Sequence, residues 1–145
     1  MSEENHAVSN AIGHWNSIKQ LISRLEDAVQ NDDQSDEPVR DDIYARALCV
    51  DVRSDWYNPC GLGEQREELA KPIEYRILLT TGGPALQLTG LLSEYGEPET
   101  AELEHQDWGI PWTRSFPYIH TKDGVEWDAY QETLLAFARC FYFGE

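Results

Sequence analysis

Positive charge is what this chain has least of. Eleven Lys and Arg stand against 27 Asp and Glu, a net charge of −16 in 145 residues. A chain so poor in cations is not expected to bind nucleic acid directly, because phosphate neutralisation draws on Lys and Arg. Cysteine is scarce as well: Cys49, Cys60 and Cys140 are odd in number, widely spaced and without a C-x-x-C pair. That pattern argues against a disulfide framework and a thiolate metal cage, and leaves reduced thiols. No apolar run reaches the length of about 18 residues that a membrane helix needs. Met1-Ser2-Glu3-Glu4 lacks the basic and apolar segments of a signal peptide. A cytoplasmic protein with no membrane partner is the expectation.

Apolar residues make up 41% of the chain and aromatics 11%, enough to build one core, so residues 1–145 read as a single domain. From residue 3 to 30, Val8, Ala11, Trp15, Ile18, Ile22, Leu25 and Val29 follow a 3-4-3-4 spacing, which predicts one amphipathic helix. Ser2 is placed to cap it, and Glu3 and Glu4 suit its dipole. Such a helix spans on the order of 40 Å. Its stripe can dock on the domain's own sheet or, as a homodimer contact, on a second copy. Residues 31–38 are polar, acidic and end in Pro38, an exposed linker. A short helix over 40–47 follows.

Period-two alternation then predicts strands at 48–53, 74–80, 85–92 and 100–107. Gly82-Gly83 closes a hairpin between the second and third. Without a following Lys or a P-loop spacing, the pair has little claim to be a phosphate cradle. The segment 107–118 gathers Trp108, Trp112, Phe116 and Tyr118 around Gly109 and Pro111. It is either a lid on the core or an interaction surface. A last helix is predicted over 128–143, with Trp127, Tyr130, Leu134, Phe137 and Phe141 on one stripe and Asp128 with Gln131 resembling a capping box. The expected class is α+β: an antiparallel four-stranded meander flanked by long N- and C-terminal helices.

Catalytic signatures are missing: no H-E-x-x-H, no G-x-S-x-G, no zinc-deaminase pattern and no EF-hand spacing. Asp32-Asp33-x-x-Asp36-Glu37 lacks the Gly and terminal Glu of a calcium loop. Cys60, His105 and Asp107 can be written as a nucleophile, base and acid, but nothing in their spacing selects them over chance. A non-enzymatic protein without cofactor or metal is expected.

The negative charge, by contrast, is clustered. Eight carboxylates lie between Glu26 and Asp42 against the single cation Arg40, and six lie between Glu94 and Asp107 against none. Clustered carboxylates can imitate the charge line of a DNA backbone, about one charge per 1.7 Å of axis. They would then occupy a basic groove meant for phosphates, with salt-sensitive attraction. The candidate partner-binding residues are Asp32, Asp33, Asp36, Glu37, Asp41 and Asp42 from the first run, and Glu97, Glu99, Glu102 and Glu104 from the second. Trp108 and Trp112 join them as aromatic anchors.

The stretches 77–85 (ILLTTGGPA), 103–113 (LEHQDWGIPWT) and 141–145 (FYFGE) resemble those of a family of small acidic proteins carried by bacteriophages, prophages and mobile elements of proteobacteria. The resemblance covers roughly the last two-thirds of the chain, and its motifs are structural ones. It implies a context of counter-defence in a host cytoplasm. With the charge pattern, it leads to the expectation of an inhibitor that blocks a basic, nucleic-acid-binding host complex by mimicry, a type I CRISPR surveillance complex first. Two alternatives share parts of this logic. One is a sponge for a nucleotide signal, with Trp108 and Trp112 for stacking and Arg53, Arg76 or Arg114 for phosphate. The other is an immunity protein against a basic nuclease toxin.

Overall fold

The computed structural model describes residues 6–31, 35–54, 56, 71–82, 84–107 and 111–143. Among these, four helices and one five-stranded antiparallel sheet make an α+β protein. In chain order the elements are α1 (His6–Gln30), α2 (Glu37–Tyr44), β1 (Cys49–Arg53), β2 (Glu74–Thr80), β3 (Ala85–Leu91), β4 (Glu102–Gln106), β5 (Thr113–Arg114), α3 (Phe116–Asp123) and α4 (Trp127–Ala138). The strands pair in sequence order, each antiparallel to the next. The expected meander is present. It gains the two-residue β5, which is too short for alternation to reveal.

Side-chain alternation gives the sheet two unlike faces. Val50, Ile77, Leu88 and Leu103 stand in register across four strands on the face turned to the helices. Ile77, Leu88 and Leu103 are fully buried there. On the other face, Asp51, Arg76, Thr89 and Glu102 align in register, with Asp51 and Arg76 exposed. β1 is an edge strand, and its Val52 stays largely exposed.

α1 lies over β3 and β4 and touches the other three helices. Its buried residues are Ala7, Ala11, Trp15, Ile18, Leu21, Ile22 and Ala28. Thus the apolar stripe docks on the chain's own layers. Toward its end the buried face moves from the predicted Val29, which is exposed, to Leu21 and Ala28. Helix α2 packs against α1, with Arg24 of α1 paired to Asp42 of α2.

Two helices differ from the sequence reading in their boundaries: α2 runs over Glu37–Tyr44 where 40–47 was expected, and α4 over Trp127–Ala138 where 128–143 was expected. α2 begins at Glu37, with Pro38 in its first turn, so the last two residues of the expected linker are helical. α4 starts at Trp127 behind Glu126, which makes no side-chain capping bond, so the capping box of Asp128 and Gln131 is not formed. α4 also stops at Ala138. The N–H groups of Cys140 and Phe141 then bond back to the carbonyls of Phe137 and Ala138, tightening the chain into a turn. From that turn Phe141 packs on Tyr44 and Phe137, and Phe143 packs 4.9 Å from the Tyr75 ring.

At Gly90 the backbone of Thr100 and the Tyr75 ring come so close that a Cβ would sit 1.9 Å from the Thr100 carbonyl oxygen. The Tyr75 hydroxyl donates to that same oxygen at 2.6 Å, locking the approach. Gly13 is the opposite case, with open space around its would-be Cβ on an exposed helix surface. Gly90→Ala is therefore expected to destabilise the fold by about 1–3 kcal/mol through overpacking. Gly13→Ala is expected to stabilise it by up to about 1 kcal/mol through helix propensity. Urea-unfolding midpoints at unchanged m value read both signs.

Candidate functional site

Helix α2 carries three of the candidate carboxylates, Glu37, Asp41 and Asp42, in one short span. Asp36 precedes it and is clamped by Arg40 one turn on, at 2.7 Å. The Arg40 guanidinium holds the Asp36 carboxyl below the usual carboxylate range. Asp42 reaches Arg24 of α1 at 3.1 Å. Glu37 and Asp41 are exposed. Asp32, Asp33, Trp108 and Cys60 lie outside the described residues.

The second acidic run divides. Glu97 and Glu99 sit at the tip between β3 and β4, where Ser93 shapes a tight turn. Its Oγ accepts from the N–H groups of Tyr95 and Glu97, at 3.1 and 3.3 Å. Glu102 and Glu104 belong to β4 and stand on the open face of the sheet. These two are thus separated from α2 by the thickness of the sheet and cannot act with it as one surface.

The turn after α4 brings the tip and α2 together. Arg139 donates to the Pro98 carbonyl at 3.2 Å. Its neighbour Cys140 has its sulfur 4.0 Å from Arg40 Nη1, and Phe141 meets the Tyr44 ring edge-on. The loop of Glu97 and Glu99 and helix α2 thus meet the same turn at one end of α4, with Asp42 facing α1 through Arg24. Tyr95 and Tyr142, 80% and 76% exposed, stand at that end. The sequence reading did not single out these tyrosines; their positions within the acidic run and the apolar C-terminus were the available signal.

The open face of the sheet is polar and cross-linked by charge. Arg53 pairs with Glu74, Arg76 with Asp51 at 2.7 Å, and Arg114 with Glu102 at 3.0 Å. Arg114 also lies 5.5 Å from the centre of the Trp127 ring. The three arginines proposed as phosphate ligands do share one face, but each is matched by a carboxylate. Burial pushes the Glu102 carboxyl up despite Arg114. Trp112 is partly exposed at the edge. A concavity of about 580 Å³ opens on this face over β1, β2 and β3.

His105 and Ser115 form a buried pair, Nδ1 to Oγ 2.7 Å. Ser115 precedes α3 and spends its hydroxyl on the histidine instead of capping the helix. Tyr118 packs edge-on against the imidazole. The segment 116–118, read as lid or interaction surface, is in fact the start of α3. Phe116 packs against Trp127 and Tyr130, and Ile119 is fully buried. At 4% and 1% exposure, His105 and Ser115 fasten α3 to β4 and are closed to substrate. Among the described residues, no His, Cys, Asp and Glu cluster has metal-binding geometry.

No family model, no curated protein and no solved structure matches this chain.

Burial lowers the proton affinity of His105 below that of a free imidazole. The folded state therefore favours neutral His105, and its contribution is complete above the unfolded value of 6.5 and shrinks as pH falls below it. Urea-unfolding free energies should drop more between pH 7 and pH 5 in the native protein than in His105→Gln. The self-repulsion of the net charge acts alike on both proteins, so equal slopes would contradict the assignment.

Proposed function

We propose that this protein is a non-enzymatic inhibitor whose acidic end occupies the basic, nucleic-acid-binding surface of a host defence complex. A type I CRISPR surveillance complex is the first target. The supporting observation is the α4 turn itself: through Arg139, Cys140 and Phe141 it holds α2 and the β3–β4 tip at one end. Two acidic segments that are 55 or more residues apart in sequence are thereby tied to one turn, which supports reading them as one charged surface. Tyr95 and Tyr142 supply exposed aromatic surface beside it, the residue type that dominates interface hot spots. Carboxylates at this end would attract a basic groove over several ångströms and weaken as salt rises.

The sponge reading draws less support, because Arg53, Arg76 and Arg114 already face carboxylates that would repel a phosphate.

The test is competition with target DNA for a purified type I surveillance complex. The native protein is expected to block DNA binding, less so as salt is raised. Reversing Glu37, Asp41, Glu97 and Glu99 to Lys is expected to weaken the block at least tenfold. Reversing Glu126 and Asp128, at the far end of α4, is expected to leave it within about threefold. Full inhibition by the first variant, with an intact circular-dichroism spectrum, would overturn the reading.

A further inference from the structure

His14, Ser17, Leu21 and Arg24 recur every three or four positions along α1 and so share one stripe of the helix, with Gln20 beside it. This stripe faces α2 and the turn that follows it. There Asp42 reaches Arg24 at 3.1 Å, and Arg46 reaches His14, Nη1 to Nδ1, at 3.2 Å. A groove of about 310 Å³ opens beside these contacts, lined by Ser17, Gln20, Leu21, Arg24, Asp42 and Arg46. Leu21 is buried and closes its floor.

Charge in this groove runs against that of the chain. Its described lining sets two guanidinium groups against one carboxylate, an excess of positive charge in a protein of net charge −16. Arg46 has no ion-pair partner among the described residues. Its contact is with an imidazole, and a guanidinium can only donate, so the ring nitrogen it meets carries no proton. Burial first and the Arg46 charge second lower the proton affinity of His14. The bond therefore orients Arg46 without neutralising it. Nor is its side chain needed at the end of α2, where the carbonyls of Asp41, Ile43 and Tyr44 accept the N–H groups of Ala45, Arg46 and Ala47.

Asp42 is the acceptor that an incoming anion must outweigh. It holds Arg24 through one guanidinium nitrogen, and both side chains are more than half exposed, the kind of surface pair that is weakly held. Arg24 keeps further N–H groups for a second acceptor. A phosphate monoester has three terminal oxygens and nearly two negative charges at neutral pH. It can take N–H groups from both arginines at once, which a carboxylate of one charge and two oxygens does less well. The Ser17 hydroxyl and the Gln20 amide add neutral donors on the α1 side.

We propose that the groove between α1 and α2 binds the phosphate group of a small molecule, held by Arg24 and Arg46. The site makes no use of Glu37, Asp41, Glu97 or Glu99 and stands or falls independently of the acidic end. Two sources carry this chemistry, inorganic phosphate and a small organic phosphate monoester.

Titration followed by 1H–15N NMR tests it at about pH 7.5, above the second phosphate pKa of about 6. Sodium chloride at about 150 mM screens charges more than about 8 Å apart. Inorganic phosphate, ribose 5-phosphate and acetate are the probes. At least one of the two phosphates is expected to give saturable shifts of the Arg24 and Arg46 Nε–H groups and of the Gln20 side-chain amide. Acetate is expected to bind at least about tenfold more weakly. Arg46→Gln is expected to weaken phosphate binding at least about tenfold while the dispersed spectrum of a folded protein persists. Asp42→Asn, which removes the competing carboxylate, is expected to tighten it. Tighter binding of ribose 5-phosphate than of inorganic phosphate assigns the site to an organic monoester, and the reverse assigns it to the inorganic ion. Shifts that do not saturate, equal binding of acetate, affinity unchanged in a folded Arg46→Gln protein, or weaker binding in Asp42→Asn would overturn the proposal.

Discussion

Trp15 ties the layers of this protein together. Its ring is fully buried near the middle of α1 and lies 5.1 Å from the ring of Tyr130 in α4. Its indole N–H donates to Asp123 at the end of α3, 2.8 Å away, where Lys19 completes an ion pair at 2.6 Å. Tyr130 in turn accepts the Leu103 N–H at 3.0 Å, beside the short β5, and so satisfies a strand-edge donor that would otherwise be buried unpaired. Trp15 and Tyr130 together thus link three helices to β4. Truncating a buried aromatic costs about 3–5 kcal/mol, against total stabilities of about 5–15 kcal/mol for ordinary domains.

The elements that repeat were legible in the sequence, and those fixed by single contacts were not. The 3-4-3-4 stripe of α1 and the alternation in β2 and β4 announce themselves because every second or fourth residue reports the same buried surface. Phe116-Pro117-Tyr118 did not announce a helix, since three bulky residues in a row carry no period. The signals were Pro117 in the first turn and Gly124 at the stop. At the other end, periodicity overran α4: Phe141 continues the stripe although the chain has left the helix, because a packed turn can bury the same side chain. Acidic clustering was plain, yet sequence distance gave no means of seeing that Glu97 and Glu99 join α2 while Glu102 and Glu104 turn to the other face. The first pair lies in the turn before β4 and the second within the strand, a boundary that alternation over 100–107 did not mark.

The two charged surfaces differ in kind. At the acidic end the carboxylates are mostly exposed and their attraction is long-ranged, suited to steering a large basic partner. On the open sheet face, charges are paired across strands and act at short range. The first surface requires the α4 turn; the second requires only the register of β1 against β2 and of β4 against β5. An interface on one leaves the other free.

Hydrogen–deuterium exchange of the protein alone and saturated with the surveillance complex tests the central claim most directly. Slowed exchange is predicted in α2 and in residues 93–99, with β1 and β2 unchanged. Slowing confined to β1, β2 and β3, or no slowing anywhere, would contradict the account of the acidic end as the binding surface.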